Sequence, residues 1–336
     1  MTVTAVSQGA AGAHVAPGAG PAEATGELRL RLEARNGRSV VAGQFHSGAL
    51  RMLRPLYPGD GARPAALRTA EQTGQTGQPE QTGQLGQAEQ TRQDGQLAQA
   101  EQVLVTAINP GGGYLGGDRY VLGAELGADT SLLLTTQSAT KVYRTPQGPA
   151  RSSQQFRLEA GARLESVPDA LIAYQAASYH QDTEVRMHPT ASLALAETVT
   201  HGWAPDGTPF RFDEVSLRTR VHVGGRLSAS DNLLLRPDQG GTTRLMLGGH
   251  SHLATLLVVD PRAEDDAVQR LREELGVLLP PASSGALLGI TRLAVPGFVL
   301  RALTGSTQSA EAVLHRALDW MRREWHGQPP VDLRKY

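Results

Sequence analysis

Residues 109–119, Asn-Pro-Gly-Gly-Gly-Tyr-Leu-Gly-Gly-Asp-Arg, place bare backbone beside a charged pair. Glycine-rich loops of this kind can cradle phosphate. Gly111, Gly113 and Gly116 satisfy G-x-G-x-x-G, but a dinucleotide fingerprint must open a helix. Tyr120-Val121-Leu122 reads instead as a strand, so no helix N-terminus awaits a pyrophosphate. Gly112 and Gly117 also frame a near-miss of the phosphate loop, with Asp118 where lysine belongs. A carboxylate there repels phosphate, so the segment reads as a glycine corner between two strands. Asp118 and Arg119 at its edge fit either a turn cap with a local ion pair or a charged surface offered to a partner.

A second polar segment follows a buried run: Leu132-Leu133-Leu134-Thr135-Thr136-Gln137-Ser138-Ala139-Thr140-Lys141-Val142-Tyr143-Arg144. On an extended chain Lys141 and Tyr143 share one face, and Arg144 returns to the side of Val142. Tyr and Arg are common interface anchors, so the strip suits docking of a protein. Only Lys141 and Lys335 among 32 basic residues are lysine. Lys141 therefore stands out as a position that could require a compact ammonium.

Two imidazoles, His250 and His252, are spaced to share one strand face as metal ligands would, though no third ligand can be named. The same stretch, Gly249-His250-Ser251-His252-Leu253, begins like a nucleophile elbow but lacks its second glycine. No H-E-x-x-H occurs, and no carboxylate pair is spaced to assign acid and base roles.

The elements that must position these residues are mostly strands. Leu28, Leu30 and Leu32 alternate with charged residues ahead of Asn36-Gly37, predicting a hairpin with a primed turn. Short apolar or alternating runs follow at 103–108, 120–126, 131–136, 154–159, 192–199, 210–223, 232–235 and 253–259. Without alternating helices they predict a sandwich, barrel or coiled sheet and disfavour a Rossmann topology. A helix is expected after Asp260 as N-cap and Pro261, with Val268, Leu271 and Leu275 on one face and Gly276 as terminator. Another is expected from about Ser309 to Trp325, with a stripe of Val313, Leu314, Ala317, Leu318 and Met321 ahead of Gly327.

Composition narrows the classes of function. A net charge of −1 over 336 residues supplies no basic excess for nucleic acid. The absence of cysteine excludes disulfides, thiolate metal sites and thiol nucleophiles. No Lys or Arg precedes Arg29 and no apolar run approaches membrane-spanning length, so a cytoplasmic protein with no membrane partner is expected. Residues 1–26 read as a disordered extension. From Gln72 to Gln102 a glutamine falls at every third position, a period of neither helix nor strand, so about 59–102 reads as a flexible insertion.

Gly-Gly-Asp-Arg (116–119), followed after a strand by Leu-Thr-Thr-Gln-x-x-x-Lys-Val-Tyr-Arg (134–144), resembles the urease accessory family UreD, also called UreH. The likeness extends loosely over 27–57 and 103–325, with Val167-Pro168-Asp169, Gln181, Glu197 and Asp231 at matching places. Gly202-Trp203 and Gly207-Thr208 depart from the Gly-Arg and Gly-Glu common in that family.

The resemblance implies a β-rich, helical-coil-like fold without catalysis of its own. It implies binding to a UreF-like protein, through it to a UreG-like GTPase, and to the urease apoenzyme while nickel is inserted. Ni²⁺ would then be transient cargo, with no permanently bound cofactor. A passing Ni²⁺ needs weak, exchangeable oxygen or imidazole ligands rather than a closed site. The candidates are Glu197, Asp213, Glu214, His250 and His252, each of which also reads as an ordinary surface group. Asp118, Arg119, Lys141, Tyr143 and Arg144 are the candidate partner surface.

The expected architecture is mainly β, a β-helix-like or coiled β-sheet or sandwich fold with two C-terminal α-helices. It forms one domain over 27–327, with 328–336 as a tail. The competing reading is a β-helical or sandwich hydrolase acting on a carbohydrate or ester.

Overall fold

The computed structural model describes residues 24–58, 99–237, 247–278, 285–330 and 333. Of the extension read at 1–26, residues 1–23 lie outside them, as does most of the glutamine-rich segment, whereas Thr25 bonds Asp118 and Gly26 already opens the first strand. Residues 99–102, the end of that segment, are inside the fold, where Ala100 and Gln102 are buried.

β1 (Gly26–Arg35) and β2 (Arg38–Gly48) form the expected hairpin. Asn36 and Gly37 both take positive φ (49° and 74°), as a primed turn demands. β3 (Arg51–Met52) then crosses to a second sheet. From there the chain coils: β4 (Val103–Ile108), β5 (Arg119–Leu126), β6 (Ser131–Thr136), β7 (Thr140–Val142), β8 (Ala150–Leu158) and β9 (Arg163–Ser166) follow in turn. β10 (Leu171–Ala173), β11 (Ser178–Met187), β12 (Ser192–Val199) and β13 (Glu214–Val223) continue the winding.

Successive coils stack in parallel. β5, β8, β11 and β13 lie side by side in one sheet, and β4, β6, β9 and β12 do so in the other. Parallel neighbours need a long crossover, which α/β folds supply with a helix. Here the crossover is a strand of the opposite sheet, giving a two-sheet, β-solenoid-like arrangement. β7 and β10 form a short third side.

The winding ends antiparallel, with β14 (Arg226–Leu235) on β13 and β15 (His252–Val259) on β12. After helix α1 (Asp265–Leu278), β16 (Leu287–Arg292) and β17 (Gly297–Thr304) extend the second sheet, and helix α2 (Thr307–His326) closes the fold. Two strands therefore separate the helices in sequence.

Both helices cover the outer face of the second sheet, sharing a core of Ala254, Leu256, Phe298, Leu271, Val313 and Leu318 among others. With both faces covered, β15 is buried at all eight positions. The first sheet faces solvent on its outside, so β1 keeps an alternation of buried leucines and exposed charges.

α2 is capped by the Ser306 hydroxyl, which accepts from the Ser309 amide, and by left-handed Gly327. α1 departs from expectation at both ends. Buried Asp260 accepts from Ser192 and from Arg262, building a turn that delays the helix to Asp265. Gly276 lies inside the helix, because packing of Val268, Leu271 and Leu275 carries it onward.

Candidate functional site

Between the sheets the core is divided. One apolar cluster holds Phe156, Val185, Leu195, Val221, Ala229 and Leu257, and another holds Ala150, Tyr179, Val199, Leu217, Leu233 and Leu253. On each of these six strands a polar residue separates the two: Gln154, Thr183, Glu197, Thr219, Asp231 and Thr255. Strand pairing aligns them. Gln154, Thr183, Thr219 and Asp231 are consecutive register partners across the first sheet. Glu197, Thr255 and Arg301 are consecutive partners across the second. A polar layer thus crosses the interior from one edge of the solenoid toward the other.

Part of the layer is open. A cavity of about 140 Å³ is lined by Gln154, Gln181, Thr183 and Glu197 inside, and by Gly112, Thr136, Ser138, Lys141 and Asp169 toward its mouth. That is room for several waters. Gly112 and Ser138 at the mouth are exposed.

Inside, Gln181 ties the walls together. Its amide nitrogen donates to Glu197 Oε1 at 2.6 Å, and its carbonyl oxygen accepts from Gln154 (3.2 Å) and from the Tyr179 hydroxyl (3.0 Å). Burial, reinforced by the negative charge of Asp231, pushes Glu197 up to about 7. Arg301 and the Gln181 bond oppose that rise. Near neutral pH this carboxyl therefore exchanges readily between charged and neutral forms.

The glycine corner and the polar strip meet at the mouth. The Tyr114 amide donates to the Lys141 carbonyl (2.8 Å), and the Tyr143 amide donates to the Tyr114 carbonyl (2.9 Å). A Cβ on Gly113 would stand 2.5 Å from the Tyr143 ring and 2.8 Å from the Lys141 carbonyl, so only glycine permits this approach. Lys141 lines the mouth, and the Tyr143 ring meets that of Tyr174 at a tilt of 56° with centroids 4.8 Å apart. Trp203, about half exposed, extends the row at 4.9 Å from Tyr174.

Asp118 takes the structural alternative, accepting from the Leu115 amide (2.7 Å) and the Thr25 hydroxyl (3.2 Å). Arg119 is exposed at the start of β5. Arg144 lies past the end of β7 and is exposed, whereas Val142 is fully buried, so the two do not share a side.

Of the acidic candidates only Glu197 enters the cavity. Asp213 is exposed, and Glu214 accepts from Arg236 (2.7 Å) and pairs with His180 (2.8 Å) away from the polar layer. The histidine pair does not form. His250 sits in a turn ahead of β15 and contacts the Leu247 and Gly285 carbonyls, while buried His252 contacts Ser251 and Thr307. Burial and then nearby His201 push His252 down to about 4. That value and a hydroxyl partner where a triad needs a carboxylate make Ser251-His252 a poor nucleophile pair. Among the described residues no three His, Asp or Glu side chains cluster closely enough to hold a metal.

Gln154, Gln181, Thr183, Thr219, Thr255 and Arg301 were not singled out from the sequence as site residues. Their signal is a polar residue at an inward position of an otherwise apolar alternation, visible only once each strand's facing is known.

Fold and site together define a β-solenoid-like protein with a polar cavity between its sheets, its mouth lined by Lys141 and the glycine corner. Residues 24–335 match the family described as UreD urease accessory protein. The urease accessory protein UreD of Paenarthrobacter aurescens (strain TC1) is 40% identical over 93% of this chain and 95% of its own length. That of Arthrobacter sp. (strain FB24) is 41% identical over 93% and 94%, and that of Bacillus sp. (strain TB-90) 29% identical over 93% and 99%. The chain belongs to the UreD family of urease accessory proteins. Among its described residues no helix is long and apolar enough to cross a membrane.

Proposed function

We infer that this chain is a non-catalytic scaffold through which Ni²⁺ reaches the urease apoenzyme. A UreF-like protein and, through it, a UreG-like GTPase are its partners. The observation that carries the reading is the oxygen-lined cavity that reaches Glu197. Carboxylate, amide and hydroxyl oxygens ligate a hard or borderline divalent ion weakly and release it. A carboxyl poised near neutrality adds charge when the ion arrives and sheds it by taking a proton when the ion leaves. Lys141 at the mouth, with Tyr143 against the glycine corner beside it, suits the docking of a partner over the opening.

The test is to express urease with its accessory proteins, with and without this chain, and to measure nickel in purified urease by mass spectrometry. Omission should leave urease made in full but nickel-poor and inactive. Restoring the chain should recover it, and Glu197→Gln should recover at least tenfold less. Urease with unchanged nickel content in the chain's absence would overturn the reading.

A further inference from the structure

The lining of the cavity reaches Glu197, Thr183 and Leu217 and includes no residue of β14, β15 or β17. A conduit must have two ends, and the polar layer continues past the cavity to the far edge of the sandwich. There Arg301 of β17 pairs with Asp231 of β14, joining the last strands of the two polar rows across the gap between the sheets. On β14, Asp231 sits between Ala229 of one apolar cluster and Leu233 of the other. On β17, Arg301 sits between Val299 and Leu303, which pack against those same clusters. The pair is therefore in the plane of the passage. Thr219 and Thr255, both buried, stand between it and the cavity.

Resting on the passage reading above, we propose that the Arg301–Asp231 ion pair is a gate at the second mouth, whose opening turns the cavity into a through-passage for a divalent cation. Three features suit a gate rather than a brace. Arg301 is about half exposed and Asp231 partly so (46% and 23% for the side chains), and ion pairs this wet are weak and open readily. A guanidinium at the end of an acidic passage also repels a free cation while closed, so the ion leaves only when the pair parts. Opening frees the Asp231 carboxylate to succeed Glu197 as the next oxygen ligand.

The cysteine-free chain allows a nickel-free test. Thr219→Cys places one thiol just inside the gate, and Thr136→Cys places one at the open mouth. In the full-length protein, the probe is a small cationic methanethiosulfonate. Thr219→Cys should label slowly with the gate intact and at least tenfold faster with Arg301→Gln, while Thr136→Cys labels equally in both. Asp231→Asn breaks the same pair from the other strand and carries the test if Arg301→Gln does not fold. Equal labelling of Thr219→Cys with and without the pair would overturn the gate. The assay contains no nickel, so that outcome is separate from failure of the urease loading experiment.

Discussion

Two glutamates on neighbouring strands of one sheet are buried in opposite ways. Glu165 on β9 faces the helices and is held by Arg163 and by Arg322 of α2, with Gln102 donating as well (3.2 Å). Glu197 on β12 faces the other sheet and accepts one hydrogen bond from a neutral amide, at the wall of a cavity. Burial raises both carboxyls. For Glu165 the two guanidiniums outweigh it and the net shift is downward, whereas Glu197 rises to about 7. The first site is closed and neutralised, which locks α2 to the solenoid. The second is left short of partners, which suits a group that must accept and release an ion.

Removing the charge of each carboxylate separates the two sites most strongly. Glu165→Ala leaves two buried arginines uncompensated and should cost about 3–5 kcal/mol in urea unfolding. Glu197→Gln should have the opposite sign at pH 8. The folded-state value of Glu197 lies above its unfolded value of 4.5, so the native protein loses stability as pH rises from about 4.5 to 7 and stays penalised above that. The variant should be about 1–3 kcal/mol more stable than wild type at pH 8, and no more stable at pH 4. Glu165 obeys the reverse rule: its depressed folded value gives stability that is complete above 4.5 and lost on acidification. The pH profile of the wild type against each variant therefore separates the two sites.

A smaller effect distinguishes the passage from mere polarity. Thr255→Val removes one hydroxyl from the polar layer while preserving shape, and should change stability by less than about 1 kcal/mol. Nickel delivered to urease should nevertheless fall several-fold; full delivery would remove Thr255 from the path. Smallest of all, Asp213→Asn at an exposed site should shift stability by less than about 0.5 kcal/mol and leave nickel delivery unchanged.

Two of the strands that sequence reading passes over lie in these same two regions. β9 reads Arg-Leu-Glu-Ser and β11 carries Gln181, Asp182, Thr183 and Glu184 in succession, so neither shows an apolar period. Their polar side chains are tolerated inside because partners from distant segments meet them: Arg322 lies 157 residues from Glu165. β17 is also missed, although it is apolar and Pro296-Gly297 marks its start, since its run shows no clear alternation. By contrast the β1–β2 hairpin, β4, β6, β12 and α2 are legible, because leucine spacing, Asn-Gly and an N-cap serine act locally.

Among the acidic candidates, Glu197, Asp213 and Glu214 look alike in sequence, and only one enters the cavity. Pairing register decided it, since an inward position on β12 faces the polar layer whereas Asp213 precedes β13 and stays in solvent. The His250-x-His252 spacing misled for the same reason. It assumes a continuous strand, but β15 begins at His252 and His250 belongs to the turn before it.

The chain's own letters settled the β class, the turn at Asn36-Gly37 and the second helix. Each of these is set by neighbours within a few residues, where steric and hydrogen-bonding preferences act directly. Tertiary structure alone decided which polar residues line up between the sheets, which glutamate is paired with arginine and which faces a cavity with a single neutral partner, and which distant residues meet as Arg301 and Asp231 do. Those outcomes depend on strand register and on ion pairs between residues far apart in the chain, and no local preference encodes them.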